Sequence, residues 1–258
     1  MSLEALKNSE PWDWPASAGQ VILKVLQDTA SSPEDRALAA EFGGDPTVVN
    51  VELIEAILRI IHSLDETEDL RSTSVMALGP VLELLDMGDL DDQSELRQQA
   101  LLLPEILHTL HTDKNEPIIL RRRALETSVR YDQDWHAEAI AAALKSSDTA
   151  WHRTAVFAMR FVPGFENQIL EALGSDDPDT EFQAICAADV WQLDPAWGHV
   201  LDRARNNETE KYLRMAALEA MASIRPDAAA EIIAGLGEFE DEEMNELADE
   251  ILGMIEDG

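Results

Sequence analysis

The strongest constraint on the fold is a ten-residue helical motif that returns along the chain. Its clearest copy runs from Leu213 to Ala222, LRMAALEAMA, and the copy from Leu70 to Gly79, LRSTSVMALG, fits almost throughout. Looser copies begin at Leu120, Trp151, Thr180 and Met244, and a weak first copy runs from Asp35 to Gly43. One copy alone would mean little, because any alanine-rich amphipathic helix resembles it. The recurrence is what indicates a stack of helical repeats.

The spacing of the copies supports an array of helix pairs. The small residue at the fifth motif position is Ala39, Ser74, Ala124, Ala155, Ala184, Ala217 and Ala248 in successive copies, at intervals of 35, 50, 31, 29, 33 and 31 residues. The long interval contains Met87 to Gln93, MGDLDDQ, an acidic stretch without helical periodicity that we interpret as an insertion loop. The sequence predicts an all-α superhelix of about seven helix pairs, right-handed and forming a single domain over residues 1–258.

Composition narrows the classes of partner and the location. The formal charge of −33 argues against a nucleic-acid or anionic-membrane partner, because basic surfaces drive those interactions. The N-terminus lacks the basic start and apolar core of a signal peptide, and no uncharged apolar run approaches ~20 residues. Cys186 is the only cysteine, which excludes an intramolecular disulfide and a cysteine-based zinc cluster. We therefore expect a cytoplasmic protein, whose acidity serves solubility or adaptation to high salt.

Prolines and capping residues indicate where helices begin and break. Pro11 to Pro15, PWDWP, is typical of a rigid aromatic segment that covers the first repeat. Ser32 followed by Pro33 predicts an N-cap with proline at the first helical position. Pro80 and Pro104 predict a kink or break within longer helical stretches. The acidic residues from Glu238 to Glu246 are expected to form the polar outer face of a terminal repeat.

On these motifs the chain resembles the HEAT-repeat family over residues 15–255. The resemblance implies antiparallel helix pairs whose second helices line an inner face. It also implies a ladder between a turn acid and an arginine six residues later in the second helix. Asp65 with Arg71 matches that spacing. Near matches are Glu208 with Arg214 and Asn115 with Arg121, whereas His152, Glu181 and Asn245 occupy the arginine position in other repeats.

Charge is distributed unevenly, and this is the main functional signal. Residues 1–95 carry a net charge of −15, residues 114–160 carry +2, and residues 161–258 carry −19. A positive centre in so acidic a chain is a candidate seat for an anionic group. The alternative is that its arginines serve the ladder or pair with nearby carboxylates.

Helical geometry selects candidate binding residues. If the first motif position is buried, positions two, six and nine further on face the opposite side at 3.6 residues per turn. The predicted partner-binding residues, on the third to sixth repeats, are Arg122, Arg153, Phe157, Arg160, Phe182 and Met215. Arginine, aromatic and methionine side chains are common at protein–protein hot spots, although ordinary packing between repeats would also explain them.

No catalytic residue, metal ligand or cofactor is predicted. His108 and His111 lie three apart on a helix, but no third ligand stands at a recognisable spacing, so a solvated face is the simpler interpretation. The acidic loop, including Asp91 and Asp92, lacks the spacing of a calcium-binding EF-hand. Cys186 has no basic neighbour in sequence to lower its pKa, and we expect it in the packed repeat stack.

The sequence thus favours a non-enzymatic scaffold that binds an acidic or mixed acidic–apolar protein or peptide segment on its central repeats. Two alternatives come from other classes. One is a HEAT-like enzyme of the phycobilin lyase type; alkylpurine DNA glycosylases share the resemblance, but the charge opposes them. The other is an acidic decoy that mimics nucleic acid and binds a basic protein. The oligomeric state is not predicted.

Overall fold

The fold was analysed in a computed structural model, which describes residues 2–91, 93–237, 239 and 241–257. Asp92 of the acidic loop and Glu238 and Glu240 of the acidic C-terminal segment lie outside the described residues. Within the described residues the regular structure is entirely helical, which confirms the predicted all-α class.

The helices follow one another along the chain with short connections. They are α1 (Leu3–Lys7), α2 (Ala18–Gln27), α3 (Pro33–Gly43), α4 (Val51–His62), α5 (Glu68–Met76), α6 (Gly79–Met87), α7 (Glu95–Ala100), α8 (Leu103–Thr112), α9 (Ile118–Ser128), α10 (His136–Leu144), α11 (Thr149–Ala158), α12 (Glu166–Ala172), α13 (Pro178–Val190), α14 (Trp197–Arg205), α15 (Lys211–Ile224), α16 (Pro226–Leu236) and α17 (Glu242–Asp257). Short 3-10 helices cover Pro11–Asp13 and Asp194–Ala196.

Capping residues fix the helix ends where the sequence predicts them. The Ser32 hydroxyl accepts a hydrogen bond from the Asp35 amide at 3.0 Å, and this cap starts α3. Gly44 ends α3 under a steric constraint, because a Cβ atom there would lie 1.7 Å from the carbonyl oxygen of Ala77. A glycine at this position therefore allows α3 to end directly against the C-terminal end of α5.

The two internal prolines break their helices. Pro80 lies in the first turn of α6 and Pro104 in the first turn of α8, where the missing amide proton costs no hydrogen bond. The acidic stretch predicted as an insertion connects α6 to α7, and Gly88 ends α6 in the left-handed region at φ 76°. Each long helical stretch of the sequence is therefore two helices.

The chain divides into two compact units, Met1–Ala139 and Ile140–Gly258, with the boundary inside α10. In the first unit α2 pairs with α3, α4 with α5 and α8 with α9, and α3, α5 and α9 pack in succession. In the second unit α12 pairs with α13, α14 with α15 and α16 with α17, and α11, α13, α15 and α17 pack in succession. Each unit is a solenoid-like stack in which the second helices of the pairs form a continuous layer. The single-domain prediction stays a prediction.

Arginines at the second motif position tie four of the second helices to the first helix of the same pair. Arg71 Nε donates to the carbonyl oxygen of Ile61 at 2.7 Å, and Arg121 Nε donates to that of His111 at 3.0 Å. Arg36 donates through Nη2 to the carbonyl of Leu26, and Arg214 donates through Nε to that of Ala204, both at 3.4 Å. In every case the acceptor lies ten residues earlier and is one of the carbonyls at a helix end that have no partner within the helix.

The ladder connects different residues from those implied by the family resemblance. Arg36 pairs with Glu66 at 2.7 Å and Arg71 with Glu116 at 2.7 Å, so each arginine reaches the turn of the following repeat. Asp65, predicted to pair with Arg71, is exposed. The turn acid used is thus one residue later, because that position faces the preceding repeat.

No described helix has both the length and the apolar character needed to cross a lipid bilayer, and a cytoplasmic location stays a prediction.

Candidate functional site

The second-helix layer of the second unit carries most of the predicted binding residues. Arg153 and Phe157 lie on α11, Arg160 follows that helix directly, Phe182 lies on α13, and Met215 lies on α15. All five are half-buried. Arg122 lies instead on α9, in the first unit, so these six residues divide between two compact units.

Arg153 is held by two carboxylates of the next repeat. Its Nη2 atom lies 3.0 Å from Asp177 Oδ1 and 3.1 Å from Oδ2, and its Nη1 atom lies 2.8 Å from Asp179. Hydrogen bonds from Thr180 and then the Arg153 guanidinium hold the pKa of Asp177 below its usual value. Arg153 therefore takes over the inter-repeat pairing in the repeat where His152 replaces the usual arginine.

Arg122 also has a neighbouring acid. It lies 3.7 Å from Glu126 of the same helix, which pairs more closely with Arg123 at 2.5 Å. The Glu126 carboxylate is buried, and Arg130 donates to the Glu126 backbone carbonyl at 2.6 Å. Much of the positive charge predicted for the central repeats is thus neutralised locally.

Arg160 differs from Arg122 and Arg153 in its surroundings. Its guanidinium carbon lies 5.9 Å from the ring centroids of both Phe157 and Phe161, within the range of a cation–π contact. Among the described residues it forms no ion pair, and its Nε atom is buried without a hydrogen-bond partner. Two aromatic rings, rather than a carboxylate, therefore position this guanidinium group.

Glu219 is the centre of a group of charges: two other carboxylates and Arg160 act electrostatically on its carboxyl group, and the three acids lie on three successive helices of the layer. They are Asp189 on α13, Glu219 on α15 and Glu250 on α17. Although Glu219 is exposed, partial burial of its carboxyl group, followed by the negative charges of Asp189 and Glu250, raises its pKa, and Arg160 acts in the opposite direction. The local balance is therefore negative, at three acids to one base.

Cys186 lies half-buried on α13 beside these charges. Burial raises the pKa of its thiol, Arg160 lowers it, and Asp189 and Glu219 raise it again. A raised pKa leaves less thiolate at neutral pH, so the chemistry of this site does not centre on an activated cysteine.

Tyr212 was missed by the sequence analysis. Its ring meets that of Phe182 edge to face, with centroids 5.5 Å apart. Burial, then Glu210 and the charges of Asp179 and Asp177, raise the pKa of its hydroxyl to about 12. Tyr212 lies one position before the first motif residue. The candidate binding residues were chosen at positions after that residue, so Tyr212 was not among them. The signal that would have found it is the run Glu210-Lys211-Tyr212 at the start of α15.

The histidines singled out in the sequence lie against an aromatic ring. His108 and His111 both stack on Trp135, with ring centroids 4.6 and 5.2 Å apart. In the part of the chain that the structure describes, no group of three or more His, Cys, Asp or Glu side chains has the geometry of a metal site.

No protein-family model matches the chain, and no curated protein matches it. A solved structure of human deoxyhypusine hydroxylase in complex with glycerol matches over 99% of this chain and 89% of that chain. The two are 15% identical, with a TM-score of 0.45. This likeness assigns no activity, substrate or metal to the present chain.

The comparison nevertheless corrects one prediction. The sequence analysis took a helical array without a catalytic motif to be a non-enzymatic scaffold. The match to a solved structure of an enzyme contradicts that inference, and a fold does not by itself decide whether a chain is catalytic. The prediction that the chain is not an enzyme, and with it the scaffold function, is therefore wrong as argued.

Proposed function

We propose that the second unit binds a positively charged, lysine- or arginine-bearing protein segment on its second-helix layer. The observation that carries the proposal is the grouping of Asp189 and Glu250 with Glu219, whose carboxyl group feels both negative charges and only one arginine. A bound cation would relieve the repulsion among these carboxylates, which gives binding an electrostatic driving force. The partner class remains a protein or peptide, as the sequence predicts, but of opposite charge.

The aromatic residues of the same layer supply the apolar part of the site. Phe157 and Phe182 are half-buried, and the rings of Tyr212 and Phe182 meet edge to face. Aromatic faces beside carboxylates suit the long aliphatic stems and cationic heads of lysine and arginine. Arg160, packed beside two rings, would orient a backbone carbonyl or a carboxylate of the same segment.

We further propose that the chain is a HEAT-type array. The arginine contacts to carbonyls ten residues earlier support this, as do the pairs that Arg36 and Arg71 make with the following repeat. The same helical stack brings the three carboxylates onto helices that follow one another, because α13 packs on α15 and α15 on α17.

The test is the binding of a lysine-rich amphipathic peptide, measured by calorimetry in the full-length chain. The double variant Asp189→Asn, Glu219→Gln should weaken binding roughly tenfold, since each removed charge contributes about 0.5–1 kcal/mol. The matched control is Asp227→Asn, Glu231→Gln on α16, which removes the same net charge from exposed positions on a first helix.

Two results would overturn the proposal. One is an equal loss of affinity in both double variants, which would mean that binding follows net charge alone. The other is preference for a glutamate-substituted version of the peptide, which would move recognition to Arg160 and restore an anionic partner.

A further inference from the structure

A separate cleft in the first unit lies between the PWDWP segment and the starts of α2 and α4. Its volume is about 610 Å³, within the range of small-molecule sites. Trp12, Trp14, Gln20 and Glu52 line it together with Pro11 and Pro15. None of its described lining residues is lysine, arginine or histidine.

The two tryptophans have different roles in this cleft. Trp14 is fixed: its Nε1 donates to the carbonyl of Leu6 at 3.1 Å, and its ring packs on Phe42 with centroids 4.9 Å apart. Trp12 is 75% exposed although it belongs to a rigid 3-10 helix. Trp14 therefore anchors the segment, and the Trp12 ring is left open beside the cleft.

The electrostatics of the cleft select the charge of its ligand. Glu52, in the first turn of α4, is exposed and lines the cleft, and residues 1–95 carry a net charge of −15. Indole rings have the strongest attraction for cations among aromatic side chains, and a neighbouring carboxylate adds to it. An anionic ligand would meet like charge with no basic group to bind it.

We infer that this cleft binds a small organic cation of the quaternary-ammonium class, with Trp12 as the open aromatic face and Glu52 as the counter-charge. A quaternary ammonium group has no hydrogen to donate, so it needs aromatic and carboxylate neighbours rather than aligned acceptors. The inference is independent of the second-helix layer of the second unit.

The experiment compares choline with 3,3-dimethylbutan-1-ol, its uncharged carbon analogue of the same shape, by ligand-observed NMR on the full-length chain. Choline should bind at least about tenfold more tightly, because only the charged compound gains the cation–π and carboxylate attraction. Trp12→Ala and Glu52→Gln should each weaken choline binding several-fold. Glu55→Gln, on the same helix and outside the cleft, is the matched control and should bind choline as the wild type does.

Circular dichroism checks that each variant is folded. Trp12→Ala should keep the helicity of the wild type, because the Trp12 ring is exposed. Equal binding of the neutral analogue, or choline binding that survives Trp12→Ala, would overturn the inference. So would the absence of saturable choline binding in the millimolar range.

Discussion

The acid sensitivity of the first unit should be governed by one buried histidine. His136 is fully buried, and its Nε2 atom lies 3.1 Å from the Ser128 hydroxyl. Its Nδ1 atom accepts from the Gln133 amide at 3.3 Å, so Nε2 carries the single proton and donates to Ser128. Both ring nitrogens are satisfied in the neutral form, and a second proton would have to displace the Gln133 contact.

The magnitude follows from the pKa of this group. Burial, aided by the charges of His111 and His108 and opposed by Asp132, lowers the pKa of His136 from 6.5 to about 4. Between these values the unfolded chain binds a proton that the folded chain does not, so the free energy of unfolding falls as pH falls through 6.5 towards 4. The loss between pH 8 and pH 5 should be about 2 kcal/mol, rising to about 3 kcal/mol below pH 4. The lowered pKa of His111, also caused first by burial, adds to the loss in the same direction.

The assay is denaturant unfolding at pH 8 and pH 5, followed by circular dichroism. His136→Gln keeps a donor and an acceptor but cannot titrate, so its loss between the two pH values should shrink by about 2 kcal/mol. Ser128→Ala is the control: it lowers stability at both pH values while His136 still titrates, so its pH-dependent loss should persist. An unchanged loss in His136→Gln would refute the reasoning.

Three further predictions concern pairing, reactivity and organisation. Arg71→Ala should lower the free energy of unfolding by about 3 kcal/mol in denaturant titrations, because it leaves the half-buried Glu116 carboxylate and the Ile61 carbonyl unpaired, whereas the exposed Arg225→Ala should change it little. Comparable losses in both variants would contradict the burial argument. Cys186 should react with iodoacetamide at pH 8 several-fold more slowly in the native chain than in urea, and equal rates would contradict its raised thiol pKa. A fragment of residues 1–139 should fold alone, because its apolar core from Leu3 to Ala124 lies within that unit; loss of amide-exchange protection throughout the fragment would refute this.

Much of the helical framework was predictable from the sequence because it depends on local chemistry. Ser32 and Asn50 cap helices in the way their side chains favour, and Pro80 and Pro104 stand where helices break. Only neighbouring backbone groups decide such features. The motif copies likewise coincide with second helices, since the small fifth-position residues are buried where those helices pack.

Inter-repeat pairing could not be derived in the same way. The sequence interval between an arginine and its acid says nothing about which repeat the side chain reaches, and Arg71 contacts Glu116, 45 residues later. Glu181 shows the same difficulty. It stands at a ladder position with its carboxylate buried, and accepts from His199 at 2.7 Å and from Arg203 at 2.5 Å. A buried charge of either sign fits at this position when a neighbouring helix supplies the opposite one.

The pairing of buried charges also explains why we propose a basic partner although the sequence predicts an acidic one. A count of the charged residues over residues 114–160 gives a positive centre, but it treats every arginine there as available to bind a partner. In the folded chain the Arg153 guanidinium binds the carboxylates of Asp177 and Asp179, and it contacts both oxygens of Asp177. Arg122 lies beside Glu126. Each ion pair uses one acid and one base. In a chain with 52 acids and 19 bases, pairing between repeats therefore leaves few bases unpaired and many acids. The charge that remains unpaired in such a chain is therefore mostly negative, unless other contacts keep an arginine out of an ion pair. Arg160, whose guanidinium packs beside Phe157 and Phe161, is such a case, and this makes its surroundings the most informative place to substitute residues first.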